Sequence, residues 1–229
     1  MKKILLVLAA LLTFSFAGAQ NFEIVGGPSL SYIKYPTLNS AFNRQIGGKS
    51  KIMPKFHFGV NAIIPLAEDI REETSFYSSV GLIFAGKGYE INKPYEDDLP
   101  LYTTFYQKGY GYSLDCPVHI GYNFQVADNF AIFVEAGATG SLGLFGKWKI
   151  QYTYKEQFTE SGRGNYYDYT SANKCGFKRM DVALGGKIGV LINNRISLGV
   201  NADFGILTLA DYPRQARSRN YWLSVGYRF

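Results

Sequence analysis

Apolar and polar residues trade places at every step through most of the chain after residue 20. Between 110 and 125, Tyr110, Tyr112, Leu114, Cys116, Val118, Ile120, Tyr122 and Phe124 occupy the even positions, while Gly111, Ser113, Asp115, Pro117, His119, Gly121, Asn123 and Gln125 occupy the odd ones. A strand sends successive side chains to opposite faces, so period two means a ribbon with one apolar and one polar face, which a helix of 3.6 residues per turn cannot supply. The same alternation runs through 56–64, 182–190 and 196–206. It predicts strands over 22–34, 55–65, 74–89, 105–125, 130–154, 177–192, 196–210 and 219–229. The connections at 126–129 and 193–195 are short and rich in Asp and Asn, which tolerate tight turns, and 66–73 is brief as well. Those at 35–54, 90–104, 155–176 and 211–218 are longer and polar. An even number of strands with short turns at one end and long loops at the other predicts an all-β, eight-stranded antiparallel up-and-down barrel.

Alternation does not say which face is inside. A soluble lipocalin-like barrel would turn the apolar face inward around a ligand with the same period. Three features point to the apolar face lying outward, against lipid. The polar face is rich in Gly, Ser and Asn, which suits a narrow crowded lumen better than a wall facing water. Aromatic residues of the apolar face gather at strand ends, with Phe22, Phe76, Tyr122, Phe124, Phe130, Tyr227 and Phe229 toward the short turns and Tyr32, Phe56, Tyr110, Tyr112, Trp148, Tyr152 and Tyr221 toward the long loops. Two such belts around a band of Leu, Ile, Val and Ala match the interfacial girdles of a transmembrane barrel. The chain also stops at its last strand, with no packing helix after it.

That final segment places Tyr221, Leu223, Val225, Tyr227 and Phe229 on one face up to a C-terminal aromatic. It resembles the closing strand of bacterial outer-membrane barrels, and the resemblance implies that the barrel-insertion machinery reads it as an assembly signal. At the other end, Lys2 and Lys3 precede an apolar run from Ile4, and Ala17-Gly18-Ala19 supplies small residues for cleavage. This is the pattern of a secretory signal peptide over 1–19, too short to span a membrane, followed by a barrel domain over 20–229.

Composition adds little beyond this. The formal charge is +6, and removing Lys2 and Lys3 leaves 22 basic against 18 acidic residues, or +4. No Lys/Arg run interleaves with aromatics on one face, so nucleic acid is not an expected partner. The inward face collects Glu23, His57, Asp115, His119, Glu135, Asp181, Lys187, Asp203 and Arg228. Eight strands leave an interior that side chains nearly fill, so these groups are expected to pair as a polar luminal network. A proton or ion pathway is the sharper alternative. Ser113, Asp115 and His119 share the inward face of one strand but succeed one another too far apart for a catalytic relay, so no enzyme is expected. Neither a cofactor nor a metal site is expected, since two histidines and scattered carboxylates show no ligand spacing. Cys116 falls on the lipid face and Cys175 at a loop end two strands away, beyond bridging distance, which predicts free thiols. Pro117 lies within a strand paired on both sides, which predicts a bulge there.

The long loops are where a partner would bind. Arg163, Tyr166, Tyr167, Asp168 and Tyr169 fall in one, and Arg214, Arg217 and Arg219 around another. The bland reading is that the tyrosines pack on each other and the rim cations meet outer-membrane lipid, including lipopolysaccharide phosphates. Taken together, Ala17-Gly18-Ala19-Gln20, the Gly-rich strands such as Phe58-Gly59-Val60-Asn61 and 180–190, and the 221–229 close resemble the porin-family or PorT-like small outer-membrane β-barrels of Gram-negative cells. The resemblance covers the chain after the signal and implies an integral outer-membrane protein with periplasmic termini and extracellular long loops. The leading expectation is a non-enzymatic barrel of structural or surface-interaction type with an occluded polar lumen. The alternative is a narrow pore or transporter, or the barrel component of a protein-secretion assembly, a role held by one namesake branch of the family.

Overall fold

The computed structural model describes residues 21–35, 48–66, 74–94, 102–154, 159–168, 176–210 and 216–229. The expected signal peptide lies outside them. The described residues form ten strands: β1 (Asn21–Tyr35), β2 (Gly48–Lys49), β3 (Met53–Pro65), β4 (Thr74–Pro94), β5 (Tyr102–Ala127), β6 (Phe130–Tyr154), β7 (Thr159–Asn165), β8 (Met180–Ile192), β9 (Ile196–Gly205) and β10 (Arg217–Arg228). Eight of them, β1, β3, β4, β5, β6, β8, β9 and β10, pair antiparallel in chain order, and β10 pairs back onto β1 to close the ring. The short β2 and β7 attach to β1 and β6 beyond the ring, at the long-loop end.

Local chemistry sets these elements. Asn193 and Asn194 carry φ of 51° and 54°, the pair of positive values a two-residue hairpin turn requires, and Arg195 N–H closes the turn on the Ile192 carbonyl at 3.1 Å. Along the ring the outward positions are exposed and apolar, among them Ile24, Phe58, Val118, Ile120, Ile188, Val200 and Val225. The outer aromatics form two belts. Phe76, Tyr122 and Phe124 touch edge to face near the short turns, and Phe56, Phe58, Phe84, Tyr112 and Phe145 interlock toward the long loops. Tyr112 and Tyr122 lie on the same strand, and ten residues tilted about 40° at ~3.3 Å each span about 25 Å, the height of a barrel's apolar band.

Two prolines interrupt the ladder without shifting it. The β4–β5 pairing skips from Val80↔Val118 to Ile83↔Asp115 around Pro117, and β1–β10 skips from Gly26↔Val225 to Ser29↔Trp222 around Pro28. The missing N–H costs pairs locally, but the register on either side is unchanged, so the bulge expected at Pro117 is absent. Gly81 makes this possible, because a Cβ there would approach the Pro117 ring within 2.9 Å. The bulge falls instead on β6, where Ser113 pairs Gly143 and Tyr112 pairs Phe145, leaving Leu144 as the extra residue. Beyond it the parity of β6 flips. Trp148, expected in the outer belt, therefore takes the inward position and packs against the buried cluster at the long-loop end.

Of the strands expected over 177–192 and 196–210, the first begins late, at Met180, and the second ends early, at Gly205. Phe177 and Leu209 are buried and keep the apolar period going, but they belong to connecting segments packed over the mouth of the ring.

Candidate functional site

The lumen is the site the fold builds. All nine residues assigned to the inward face lie buried: Glu23, His57, Asp115, His119, Glu135, Asp181, Lys187, Asp203 and Arg228. They do not form a single cluster. Glu23 is wholly inaccessible and gathers several partners, among them Asn61, whose Nδ2 donates to Oε2 at 3.0 Å, Arg228, with Nε 3.4 Å from Oε1, and Lys187, with Nζ 3.7 Å from Oε2. Both cations also lean on rings, Lys187 over Phe133 at 5.0 Å and Arg228 over Phe133 and Tyr77 at 5.8 and 5.9 Å. Glu135 is the second centre. It accepts from the Tyr77 hydroxyl at 2.9 Å and the Ser79 hydroxyl at 3.3 Å, with His119 Nδ1 3.4 Å away. These two groups join strands from all sides of the ring.

The remaining acids lie outside these two centres. Lys87 Nζ donates to Asp115 at 3.1 Å and to the Ser141 hydroxyl at 2.8 Å. The Ser218 hydroxyl donates to Asp181, and Asn201 Nδ2 to Asp203 at 3.3 Å. His57 stacks on Trp222 with centroids 5.0 Å apart, and its Nε2 is 2.9 Å from the Ser224 hydroxyl. Ser113 donates weakly to the Ala85 carbonyl at 3.4 Å. Ser113, Asp115 and His119 thus each engage a different neighbour, so the strand that carries all three does not join them into a relay. Among the described residues no group of three His, Cys, Asp or Glu side chains is placed to hold a metal ion. Cys116 is a free, half-buried thiol on the outward parity, and Cys175 lies outside the described residues.

Sequence reasoning missed Lys87, Tyr77 and Trp222, and it set Asn61 on the polar face without a part in the network. Lys87 and Tyr77 share the odd parity of β4 with the inward Ser79 and Ala85, so counting by twos in both directions from Ser79 would have found them. The signal was blurred because Ile83 also points inward. It joins Val25, Ala85 and Trp222 in a small apolar cluster within the lumen, which breaks the rule that inward means polar.

Above the ionic layers the lumen is closed by carbon. Ile33, Tyr89, Ile91, Ile150, Tyr166 and Phe177 are buried together with Tyr167 and Leu209 at the long-loop end. Tyr166 meets Tyr167 edge to face at 4.8 Å and Phe177 at 5.0 Å. These loop tyrosines, candidates for partner recognition in the sequence, are turned inward. Gly111 and Gly143 lie beneath them, and a Cβ at either position would run into the Tyr167 ring. Burial pushes the Tyr167 phenol well above its ordinary range, so it remains neutral. Arg219, another rim candidate, donates to the Gly205 and Ser218 carbonyls and lies over Phe204. Arg217 is exposed, and Arg214 and Tyr169 lie outside the described residues. At the opposite end Ala131, Phe133 and Leu191 close the floor. Among the described residues the lumen holds two voids of about 20 Å³ each, room for about one water apiece.

On the terminal strand, Leu223, Val225, Tyr227 and Phe229 are exposed and Tyr221 is half-buried against Tyr32 and Phe204, with Tyr227 and Phe229 in edge contact.

Solved structures with a similar course include the attachment invasion locus protein Ail of Yersinia pestis, at 15% identity over 91% of this chain and 98% of that one, TM-score 0.35. Neisserial surface protein A matches at 13% identity, 90% and 95% coverage and TM-score 0.36, and OprG of Pseudomonas aeruginosa at 13%, 93% and 97%, and 0.36. No curated protein matches by sequence. The family comparison is more direct and covers residues 19–210, which take in every ring strand except β10. With the closed ring, the apolar exterior and that match, the chain belongs to the outer membrane protein β-barrel domain family.

Proposed function

We propose that the protein is an integral, non-enzymatic barrel of a Gram-negative outer membrane, with a structural or surface-interaction role and a lumen that passes no solute. Residues 1–19 serve as the signal peptide, the short turns and both termini face the periplasm, and the long loops face outward. The outward row Tyr221, Leu223, Val225, Tyr227 and Phe229 is what the insertion machinery reads. The observation that carries the occluded reading is the stack of fillings inside the ring: an apolar floor, two ionic centres and an aromatic roof, with water-sized voids among them. Eight-stranded rings leave an interior just wide enough for such side chains.

Purified protein in planar bilayers is expected to show no sustained open-channel current while migrating faster on gels unboiled than boiled. Stable ohmic conductance from the monomer would replace this reading with a narrow pore. Conductance that arises only with a co-purified protein would favour the secretion-assembly role of the PorT-like barrels. A protein soluble without detergent, with mobility unaffected by boiling, would sink the membrane reading itself.

A further inference from the structure

The outer wall of β5, β6 and β7, above the long-loop belt, carries a concentration of positive charge that the lumen does not use. The registers place Lys108 opposite Lys149 and Lys149 opposite Arg163, so three cations stand side by side across three adjacent strands on the outward face. One step closer to the belt, Lys147 lies opposite Tyr110. Like charges directly opposite one another in a sheet destabilise it. One carboxylate offsets the row at its edge, Glu90, 3.8 Å from Lys108 and equally far from Lys51. Among the described residues Lys147, Lys149 and Arg163 have no acidic partner, and all three are exposed. The surface there is concave, an open groove of about 680 Å³ lined by Tyr106, Lys108, Tyr110, Lys147, Lys149 and Arg163.

Height identifies the occupant. Tyr112 belongs to the belt, and along a strand tilted about 40° the Tyr110–Lys147 step stands about 5 Å above it and the Lys108–Lys149–Arg163 row about 10 Å. The polar headgroup layer extends about 5–7 Å beyond each side of the hydrocarbon, so the Lys147 step lies within it and the Lys108–Lys149–Arg163 row a few Å beyond its edge, a gap that long side chains can reach across. The groove faces sideways toward neighbouring lipid, not up the axis of the ring. We infer that it is a binding site for the phosphate groups of an outer-leaflet glycolipid, with Lys147, Lys149 and Arg163 as the phosphate ligands and the tyrosines against the sugar. Arg supplies a bidentate fork to phosphate and Lys a point charge. The inference rests on the outward orientation of the long loops proposed above.

The test uses the full chain in phosphatidylcholine nanodiscs doped with bisphosphorylated lipid A, with retained lipid counted by native mass spectrometry. Wild type is expected to retain one lipid A, and the combined Lys147→Gln, Lys149→Gln and Arg163→Gln variant at least tenfold less, with heat-modifiable mobility unchanged. Arg195→Gln, which removes an exposed cation at the opposite end, is expected to retain lipid A as wild type does. If the combined variant fails to assemble, Lys149→Gln alone is expected to weaken retention about threefold. Undiminished retention in a folded variant overturns the site. Displacement of lipid A by an equal concentration of inorganic pyrophosphate also overturns it, in favour of a soluble polyanion. Loss of heat-modifiable mobility in wild type would overturn the barrel reading, and is distinguishable from either result.

Discussion

Near the short turns the lumen is filled by charged and hydrogen-bonding side chains that the wall strands carry themselves. Near the long loops it is filled by aromatic and aliphatic side chains, several of which, Tyr166, Tyr167, Phe177 and Leu209, arrive from the connections between strands. The first filling ties opposite walls together, since Glu23 on β1 reaches β3, β8 and β10 at once. The second lies like a stopper on a ring already complete. The difference teaches that the filling of the lumen has two independent sources, one tied into the walls of the barrel and one laid over its mouth.

Arg228→Ala attacks the first source and carries the largest expected effect. It leaves Glu23, fully inaccessible, with one cation instead of two, and breaking a buried ion pair costs about 4 kcal/mol. Urea unfolding in lipid vesicles, followed by heat-modifiable mobility, reads this directly. A loss under about 1 kcal/mol would mean that the ionic layer does not hold the walls. Phe177→Ala attacks the second source. Truncating a buried Phe costs about 3 kcal/mol, and here the loss is expected to be local. Hydrogen exchange is expected to quicken over 159–168 and 176–180 while the amides of β10 stay protected. Uniform quickening around the ring would erase the distinction between stopper and wall. Tyr77→Phe is the mildest of the three. It removes one donor from Glu135 and leaves Ser79 and His119 in place, so about 1.5 kcal/mol is expected, the worth of a single hydrogen bond to a charged group. An effect as large as that of Arg228→Ala would show that the two acidic centres act as one.

The split also marks what could be read from the chain. Period two located all eight ring strands and the inward parity of Glu23, Asp115 and Lys187, because lipid outside and a tight interior inside leave each position one choice. It failed where that constraint lapses. At Leu144 an unannounced extra residue reversed the faces, and Trp148 followed. β7, with the sequence Thr-Glu-Ser-Gly-Arg-Gly-Asn, has no apolar alternation to recognise, since it lies outside the ring and forms by pairing with the projecting end of β6. Phe177 and Leu209 extended the expected strands because a residue buried under a loop is as apolar as one in a wall. The partners of the acids were legible only in kind. That Lys87, and not a histidine, meets Asp115 depends on stagger between β4 and β5, which composition does not encode.

The seam between β1 and β10 has a temporal meaning. Every other junction of the ring joins strands consecutive around it in chain order and can zip from its own turn, whereas Glu23 and Arg228 are 205 positions apart and meet across a closure that has no turn to start it. It is also the junction that Pro28 leaves short of pairs. Assembly therefore ends there. The ion pair inside that seam acts as a latch, engaging only when the circle is complete and giving the finished barrel a step that its open precursors lack.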